Sequence, residues 1–274
     1  MAMSLSTSSA APDLLAAIVA ATRRAVYDRQ RTVSAGEIAR RRSPWQPRGD
    51  VFTMRIGRPT SVNVIAECKR RSPSKGVLCP EYDPVAVARA YEEAGAAAIS
   101  VLTEPTFFDG SLTHLAAVRR SVETPLLRKD FLVDEYQLYE ARLAGADAVL
   151  LIMAALRDEQ LSHLLTSARN LGLACLVEVH AADERARAVA AGATIIGVNN
   201  RNLRTLETDT SVADRLGGGL PDSIVAVAES GLRSADDVRC ARRGGYRACL
   251  IGEYLITSAA PGARLARLIA DAVD

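Results

Sequence analysis

Short apolar runs alternate with amphipathic segments along most of the chain. Eight such runs occur, at Val62–Cys68, Ala97–Thr103, Pro125–Lys129, Ala148–Met153, Ala174–Val179, Thr194–Asn199, Ser223–Ala228 and Ala248–Gly252. They are apolar throughout, which is typical of parallel strands covered on both faces. The segments between them have helical periodicity, and one shows the i, i+3, i+4, i+7 spacing of a helix face at Leu161, Leu164, Leu165 and Ala168.

Signals for helix starts and ends fall between these runs. Asp83 followed by Pro84 predicts a helix start, because aspartate caps the first turn and proline is tolerated there. Ser234 and Asp237 resemble a capping box. Glycines stand just before several runs, where a helix commonly ends in a left-handed residue. They are Gly95, Gly145, Gly172, Gly192 and Gly244.

Eight alternating strand and helix units predict an α/β protein folded as a (β/α)8 TIM barrel over residues 61–274. The length of 274 residues is close to the size of about 250 that is typical of such barrels. The alternative is a doubly wound open sheet. That sheet would need fewer strands or an interruption, and no G-x-G-x-x-G follows the first run, which also disfavours a dinucleotide site.

The part of the chain before the barrel divides in two. Residues 1–12 are small and polar, and we predict a disordered N-terminus there. From Asp13 onward the apolar residues follow helical spacing, and a second short helix is predicted around residues 34–42. Because an apolar helix face needs a surface to cover, residues 13–60 are predicted to form an N-terminal helical extension that packs on the barrel.

Composition narrows the possible function classes. A net charge of +2 gives no reason to expect nucleic acid or an anionic membrane as a partner. No apolar run approaches the roughly 20 residues of a membrane helix, and the N-terminus lacks the pattern of a secretory signal. Five cysteines without a C-x-x-C pair and three scattered histidines predict a reducing compartment, a cytoplasmic location and no metal site.

Charged residues stand where the runs end, which in a barrel of this kind is where the active site lies. Glu67 and Lys69 are two residues apart in the first strand region, so their side chains point the same way. Lys129 and Glu178 stand at the ends of the third and fifth runs. Since burying charges is costly and neighbouring charges shift pKa values, the four residues together predict catalytic acids and bases rather than salt bridges at a barrel rim.

The last two runs carry a different signal. Ser230 and Gly231 follow the seventh run, and Gly252 and Glu253 follow the eighth, at the loops that commonly bind phosphate in these barrels. Glycine lets backbone N–H groups approach a phosphate oxygen closely. We expect the Glu253 backbone to face the ligand and its carboxylate to turn away. The alternative is a pair of ordinary turns.

Several stretches resemble the indole-3-glycerol phosphate synthase family of tryptophan biosynthesis. They span roughly residues 62–256 and read VIAECKRRSPSKG, LTEPTFFDGSLTHL, PLLRKDFLVDEYQLYEARLAGADAVLLI, LVEVH, GVNNRNLRTLETD and AESGL. The resemblance implies a carboxy-lyase that converts 1-(2-carboxyphenylamino)-1-deoxyribulose 5-phosphate to indole-3-glycerol phosphate by ring closure, decarboxylation and dehydration. It implies no metal and no organic cofactor, and a phosphorylated small molecule as the partner.

By this resemblance, Lys129 is the general acid that protonates the substrate ketone. Lys69 pairs with the substrate carboxylate and donates a proton during dehydration. Glu67 and Glu178 hold the acid–base and charge-stabilising roles, and the base is left unassigned between them. Asn199 hydrogen-bonds a substrate hydroxyl or holds Glu67 in place.

The resemblance also implies three groups of binding residues. Arg201 and Ser230 fix the substrate and the catalytic groups. The phosphate is held by Ser72, Gly231, Gly252 and Glu253. The aryl ring lies among apolar side chains, for which the candidates are Phe108, Phe131, Leu206 and either Leu150 or Ile152.

Two other functions compete with this assignment. Phosphoribosylanthranilate isomerase, another phosphate-binding barrel, would use a Cys/Asp pair, but strand alternation points Cys68 away from the mouth. A non-catalytic barrel copy that binds a phosphate-sugar ligand would have lost Lys129, Glu178 or Glu67, and all three are present. A monomer is the working expectation for the oligomeric state.

Overall fold

The computed structural model describes residues 13–273, so the prediction for residues 1–12 lies outside the described residues. The barrel strands are β1 (Asn63–Cys68), β2 (Ala98–Leu102), β3 (Leu126–Lys129), β4 (Ala148–Ile152), β5 (Ala174–Val179), β6 (Ile195–Asn199), β7 (Val225–Glu229) and β8 (Ala248–Ile251). The helices are α1 (Leu14–Thr32), α2 (Ala35–Arg40), α3 (Gly49–Ile56), α4 (Pro84–Glu93), α5 (Pro105–Phe108), α6 (Leu112–Arg119), α7 (Tyr136–Ala144), α8 (Asp158–Asn170), α9 (Ala182–Ala190), α10 (Ser211–Gly217), α11 (Ala235–Arg243), α12 (Glu253–Ile256) and α13 (Pro261–Asp271). A 3-10 turn covers Met153–Ala155, and a small hairpin after β1 pairs Arg71–Ser72 with Gly76–Val77.

The eight strands close into a barrel in which every strand is parallel to its two neighbours. The closure joins β1 to both β2 and β8, so that Ile65 is opposite Ala98 and Asn63 is opposite Ala248. Helices lie between successive strands along the chain. The predicted (β/α)8 TIM barrel is therefore confirmed, and the open-sheet alternative is wrong because an open sheet leaves two unpaired edges.

Residues along each strand alternate between the barrel interior and the layer under the helices, as the pleat requires. On β1, Val64 and Ala66 belong to the outer hydrophobic cluster, whereas Ile65 belongs to the interior one. Cys68 is fully buried in the outer cluster and points away from the mouth, as predicted. Glu67 shares the inward face with Ile65 and lines the cavity at the mouth.

The three helices before β1 contact the barrel at different places. Leu15 and Ile18 of α1 belong to the interior cluster together with Phe131, a residue at the carboxyl ends of the strands. At the opposite end, Phe52 and Ile56 of α3 are fully buried in the same cluster. The sequence reasoning missed α3, because a single i, i+4 apolar pair between prolines gives little helical periodicity.

Helix ends follow the predicted chemistry with one exception. Asp83 Oδ1 accepts hydrogen bonds from two amides in the first turn of α4, at 2.9 and 3.2 Å, and Ser234 Oγ accepts one from Asp237 N at 3.2 Å. Gly244, however, has φ −72°, and the left-handed residue is Gly245 with φ 93°. The prediction for Gly244 was wrong by one position, because two adjacent glycines can both end the helix. None of the helices between residues 13 and 273 is both long enough and apolar enough to span a membrane.

Candidate active site

One cavity lies at the carboxyl ends of the barrel strands, where the parallel strands bring their last residues together. Its walls contain all the residues that the sequence predicts for the site, while the roles of these residues stay predictions. The charged and polar members are Glu67, Lys69, Ser72, Lys129, Glu178, Asn199, Arg201, Ser230 and Glu253. The apolar and glycine members are Phe108, Phe131, Leu150, Ile152, Leu206, Gly231 and Gly252.

Glu67 and Lys69 leave β1 on the same face and form an ion pair in the cavity floor. Lys69 Nζ donates to Glu67 Oε1, and the side chains of the two residues are 15% and 3% exposed. Burial alone would raise the pKa of Glu67, but the ammonium groups of Lys69 and Lys129 hold it below its ordinary value. Glu67 is therefore an anion at neutral pH, and it anchors Lys69.

Lys129, the last residue of β3, lies between two carboxyl groups from other strands. Its Nζ atom is 3.4 Å from Glu178 Oε2 and 3.3 Å from Glu229 Oε2. Burial alone would lower the pKa of Lys129, but the negative charges of Glu178 and Glu67, together with that of Glu229 whenever it is ionised, raise it above its ordinary value. These carboxyl groups thus stabilise the protonated amine of Lys129.

Glu229 is the functional candidate to which the sequence reasoning gave no role. It is 1% exposed, and among the described residues its Oε1 atom has no hydrogen-bond partner. Burial, with a contribution from Glu178, raises its pKa to about 8 against the opposing effect of Lys129. Glu229 can therefore carry a proton near neutral pH. The available signal was its position at the inward end of β7, two residues after the interior residue Val227.

Asn199 ties the end of β6 to the end of β5. Its Nδ2 donates to Glu178 Oε1 at 2.9 Å, and its Oδ1 accepts from Arg201 N at 2.9 Å. The alternative in which Asn199 holds Glu67 in place is wrong, because its side-chain amide is bonded to Glu178 and to the Arg201 amide instead. Arg201 Nη1 donates to the carbonyl of Leu206 at 2.9 Å, and Leu206 has φ 64°. A left-handed leucine is strained backbone, which is commonly found at functional sites.

One part of the cavity wall is apolar. The rings of Phe108 and Phe131 face each other with centroids 6.0 Å apart and an interplanar angle of 37°. Both of the alternatives Leu150 and Ile152 line this wall. Glu104 accepts hydrogen bonds from three amides of α5, including that of Phe108 at 3.1 Å, and so fixes the loop that carries this ring. The cavity can therefore hold a flat aromatic group beside the charged floor.

The rim near β7 and β8 has backbone suited to an anion. Ser230 and Gly231 are consecutive residues with φ 63° and 81°, and successive left-handed or turn residues can form concave sites whose N–H groups bind anions. Glu253 begins α12, and its Oε1 lies 3.7 Å from Arg233 Nη2. Arg233 also lines the cavity, and the sequence reasoning did not select it. This guanidinium offsets the charge of Glu253 at the rim.

Lysine is rare in this chain, and the positions of the few lysines indicate a functional role. The sequence contains three lysines, Lys69, Lys75 and Lys129, beside many arginines. Two of the three line the cavity. Arginine keeps its proton under all ordinary conditions, whereas a lysine pKa responds to its surroundings. Lysines in the cavity thus supply cations that can also exchange protons.

Metal ligands are not grouped in the part of the chain that the structure describes, since no cluster of three His, Cys, Asp or Glu side chains there could hold a metal ion. The carboxyl groups of Glu67, Glu178 and Glu229 have lysine neighbours instead. The arrangement can exchange protons with a bound molecule at several points and can bind a negative charge at two places, the Lys69 end and the glycine-rich rim.

Comparison with known proteins gives a consistent result. Residues 15–268 match the family model described as indole-3-glycerol phosphate synthase. A protein named indole-3-glycerol phosphate synthase from Arthrobacter sp. (strain FB24) is 48% identical over 256 residues, which cover 92% of this chain and 94% of that protein. Proteins of the same name from Kineococcus radiotolerans and Mycolicibacterium smegmatis are 50% and 45% identical, over 85% of both chains and 93% of both chains respectively.

Solved structures of similar shape come from more distant proteins. Thiamine phosphate pyrophosphorylase from Pyrococcus furiosus superposes with a TM-score of 0.59 at 16% identity, over 79% of this chain and 99% of that one. An N-acetylmannosamine-6-phosphate 2-epimerase from Clostridium perfringens superposes with a TM-score of 0.57 at 12% identity, over 71% and 88%. At such identities the likeness shows the barrel fold alone.

Proposed function

The chain belongs to the indole-3-glycerol phosphate synthase family, and we propose that the cavity at its barrel mouth carries out the family's reaction through the residues described above. The protein is a carboxy-lyase of tryptophan biosynthesis that closes the indole ring of indole-3-glycerol phosphate, with release of CO2 and water. The assignment of roles rests chiefly on one observation, the Lys129 ammonium held between Glu178 and Glu229 in the cavity floor.

Ring closure requires activation of the substrate ketone by an acid. The aryl carbon that bears the carboxylate must attack the ketone carbon, and this ring is a weak nucleophile, so polarising the ketone is where the protein contributes most. Lys129 is the general acid for this step. Its raised pKa keeps the proton in place before reaction. The alkoxide that develops as the bond forms is a stronger base than an amine, so the proton still moves to it.

Glu229 restores the proton of Lys129 after this first transfer. It lies 3.3 Å from Lys129 Nζ and, with a pKa of about 8, it can carry a proton near neutral pH. The neutral lysine formed by ring closure then regains its charge from Glu229 without a proton from solvent. This role predicts that activity falls as the pH rises through the pKa of Glu229.

Dehydration follows the loss of CO2 and needs an acid and a base. Lys69 pairs with the substrate carboxylate, and once that group has left as CO2 the ammonium can protonate the departing hydroxyl. Glu178 takes the proton from the methylene carbon, because its Oε1 is oriented by Asn199 at 2.9 Å. Lys69 and Lys129 lower the pKa of Glu67, which stays a carboxylate and keeps Lys69 in place.

Binding is divided between the two remaining parts of the cavity. The aryl ring lies between Phe108, Phe131 and the aliphatic side chains of the apolar wall, and Leu206 and Arg201 shape the loop beside it. The phosphate lies at the rim, where Ser72, Ser230, Gly231, Gly252 and the backbone of Glu253 surround it. Arg233 adds a positive charge there.

We also propose that the enzyme works as a monomer in the cytoplasm, without nucleic acid or membrane partners. Within the described residues a single chain supplies the whole cavity wall, so a second copy is not needed to complete the site. Cys68, Cys175 and Cys249 are buried as free thiols, which fits a reducing compartment.

The function is tested directly by mixing the purified protein with the carboxyphenylamino-deoxyribulose phosphate in the presence of EDTA. We expect indole absorbance and fluorescence to appear together with CO2, in proportion to enzyme concentration. A folded protein that forms no indole product under these conditions would contradict the assignment. Activity that appears only after a divalent metal is added would contradict the proposed proton-transfer mechanism.

A further inference from the structure

Gly197 occupies an unusual place for a glycine, in the middle of β6 and on its inward face between Ile195 and Asn199. Glycine weakens a strand interior and often marks a point where another group approaches closely. An ideal Cβ built at Gly197 overlaps Glu229 Oε1 and lies 3.1 Å from Glu229 Cδ and 3.1 Å from Leu176 Cδ1. The carboxyl group of Glu229 therefore occupies the space that a side chain at this position would need.

The position of Glu229 depends on that space. The strands β6 and β7 are neighbours in the barrel, with Asn199 opposite Glu229 and Gly197 opposite Val227. Glu229 Oε1 is turned into the wall over Gly197, where no donor in the described structure reaches it, while Oε2 stays 3.3 Å from Lys129 Nζ. A methyl group at Gly197 can be accommodated only if the carboxyl group moves toward the open cavity.

The same arrangement occurs a second time in the barrel. An ideal Cβ at Gly252, next to β1, overlaps Glu67 Oε1 and lies 2.8 Å from Glu67 Cδ. Two of the three acidic groups around Lys129 are thus accommodated by a glycine that lies in a neighbouring strand or directly after it. Gly252 also belongs to the proposed phosphate rim, so a substitution there would change two functions at once. Gly197 lies below the rim, so a substitution there changes the surroundings of Glu229 without changing the proposed phosphate site.

We propose that Gly197 is a positioning residue for the ring-closing reaction, and that its missing side chain keeps the Glu229 carboxyl group withdrawn in the barrel wall beside Lys129. This inference rests on the proposed role of Glu229 as the proton source for Lys129. A purely structural role is the competing explanation, in which glycine is needed only to make room for Leu176. Kinetic behaviour separates the two explanations.

The first experiment compares Gly197→Ala with Gly218→Ala. Gly218 lies after α10 with φ −69°, and no atom comes within 4 Å of a Cβ built there. We expect Gly197→Ala to lower kcat by roughly 10- to 100-fold, the scale reported for a small misplacement of a catalytic group. The alkaline limb of the kcat/KM profile should move to lower pH, because a carboxyl group displaced toward solvent loses the burial that raises its pKa. Gly218→Ala should leave both unchanged within about twofold.

The second experiment repeats Gly197→Ala in a Glu229→Gln background. If Gly197 acts through Glu229, the glycine substitution should change kcat by less than about threefold there, because the proton source is already gone. An equal loss in both backgrounds would overturn the inference and favour packing against Leu176. A normal pH profile for Gly197→Ala, together with impaired activity of Glu229→Gln, would overturn the role of Gly197 but leave the proposed role of Glu229 standing. A fully active Glu229→Gln would overturn the proposed role of Glu229 itself.

Failure of Gly197→Ala to fold would still be informative. In that case Gly197→Ala is combined with Glu229→Ala, which removes the side chain that the new methyl group meets. Recovery of a cooperative thermal transition in the double variant supports the proposal. A double variant that remains unfolded would overturn it, because the need for glycine would then not come from Glu229.

Discussion

Asp147 and Glu229 are both buried carboxyl groups, but they lie at opposite ends of the same barrel. Asp147 precedes β4 at the amino ends of the strands and is 0% exposed. Its Oδ1 accepts from Trp45 Nε1 at 3.2 Å and from Arg48 N at 2.8 Å. Its Oδ2 accepts from Arg119 Nη1 at 3.1 Å and from the Leu126 amide at 2.9 Å. Four donors from four parts of the chain thus satisfy one carboxylate.

Glu229 is nearly as buried but much less well satisfied. One oxygen has a lysine neighbour at 3.3 Å and the other, within the described part of the chain, has no partner at all. An unpaired buried polar atom costs stability, whereas a fully paired one supports the fold. The amino end of this barrel is therefore arranged for stability, and the carboxyl end gives up stability for groups that can exchange protons with a substrate.

Substitution of Lys129 should have the largest effect on activity. Lys129→Ala is expected to lower kcat at least about 100-fold, because removal of a general acid usually costs that much or more. Lys75→Ala, at an exposed lysine outside the cavity, is the matched control and should keep near-normal turnover. Steady-state kinetics with circular dichroism checks both variants. Near-normal turnover by folded Lys129→Ala would contradict the assignment.

Substitution of Asp147 should lower the stability of the protein strongly but have little effect on catalysis. Asp147→Asn keeps the shape of the side chain, but it places an NH2 group where an oxygen accepts hydrogen bonds and leaves the Arg119 guanidinium without its ion-pair partner. We therefore expect the free energy of unfolding to fall by about 3 kcal/mol. Asp214→Asn, at an exposed aspartate of α10, should change it by less than about 0.5 kcal/mol. Urea unfolding measures both. A loss of kcat in folded Asp147→Asn would contradict the separation of the two ends.

Substitution of Glu229 should stabilise the protein slightly, and the gain should depend on pH. The folded pKa of about 8 lies above the ordinary value of 4.5, so ionisation opposes folding, with a cost that is absent below pH 4.5 and grows until pH 8. Glu229→Gln removes this cost. The melting temperature should rise by roughly 4 °C at pH 8.5 and by clearly less at pH 5.

The control for this prediction is Glu81→Gln, at an exposed glutamate outside the cavity. Its effect on the melting temperature should be the same at both pH values. Thermal scans of both variants across this range provide the measurement. A gain for Glu229→Gln that does not vary with pH would mean that burial does not raise the pKa of this carboxyl group.

Local patterns in the sequence were sufficient for the strands, the barrel and the location of the cavity. The apolar runs predicted all eight strands to within a few residues, because parallel strands covered on both faces need continuous apolar sequence. The inward direction of Glu67 and the outward direction of Cys68 follow from strand alternation. Since every strand of such a barrel ends at the same face, residues at the run ends had to meet there.

Tertiary structure alone decided which of these residues are partners. Lys129 and Glu229 are 100 positions apart, and their contact depends on the shear and closure of the barrel, which no local pattern encodes. The hydrogen-bond donors of Asp147 could not be predicted from local patterns either, because they come from distant parts of the chain. They are Trp45, Arg48, Arg119 and Leu126. The sequence by itself determined which chemical groups reach each end of the barrel. The packing of strands decided which carboxyl group is satisfied and which has a raised pKa, because pairing and desolvation depend on neighbours distant in sequence.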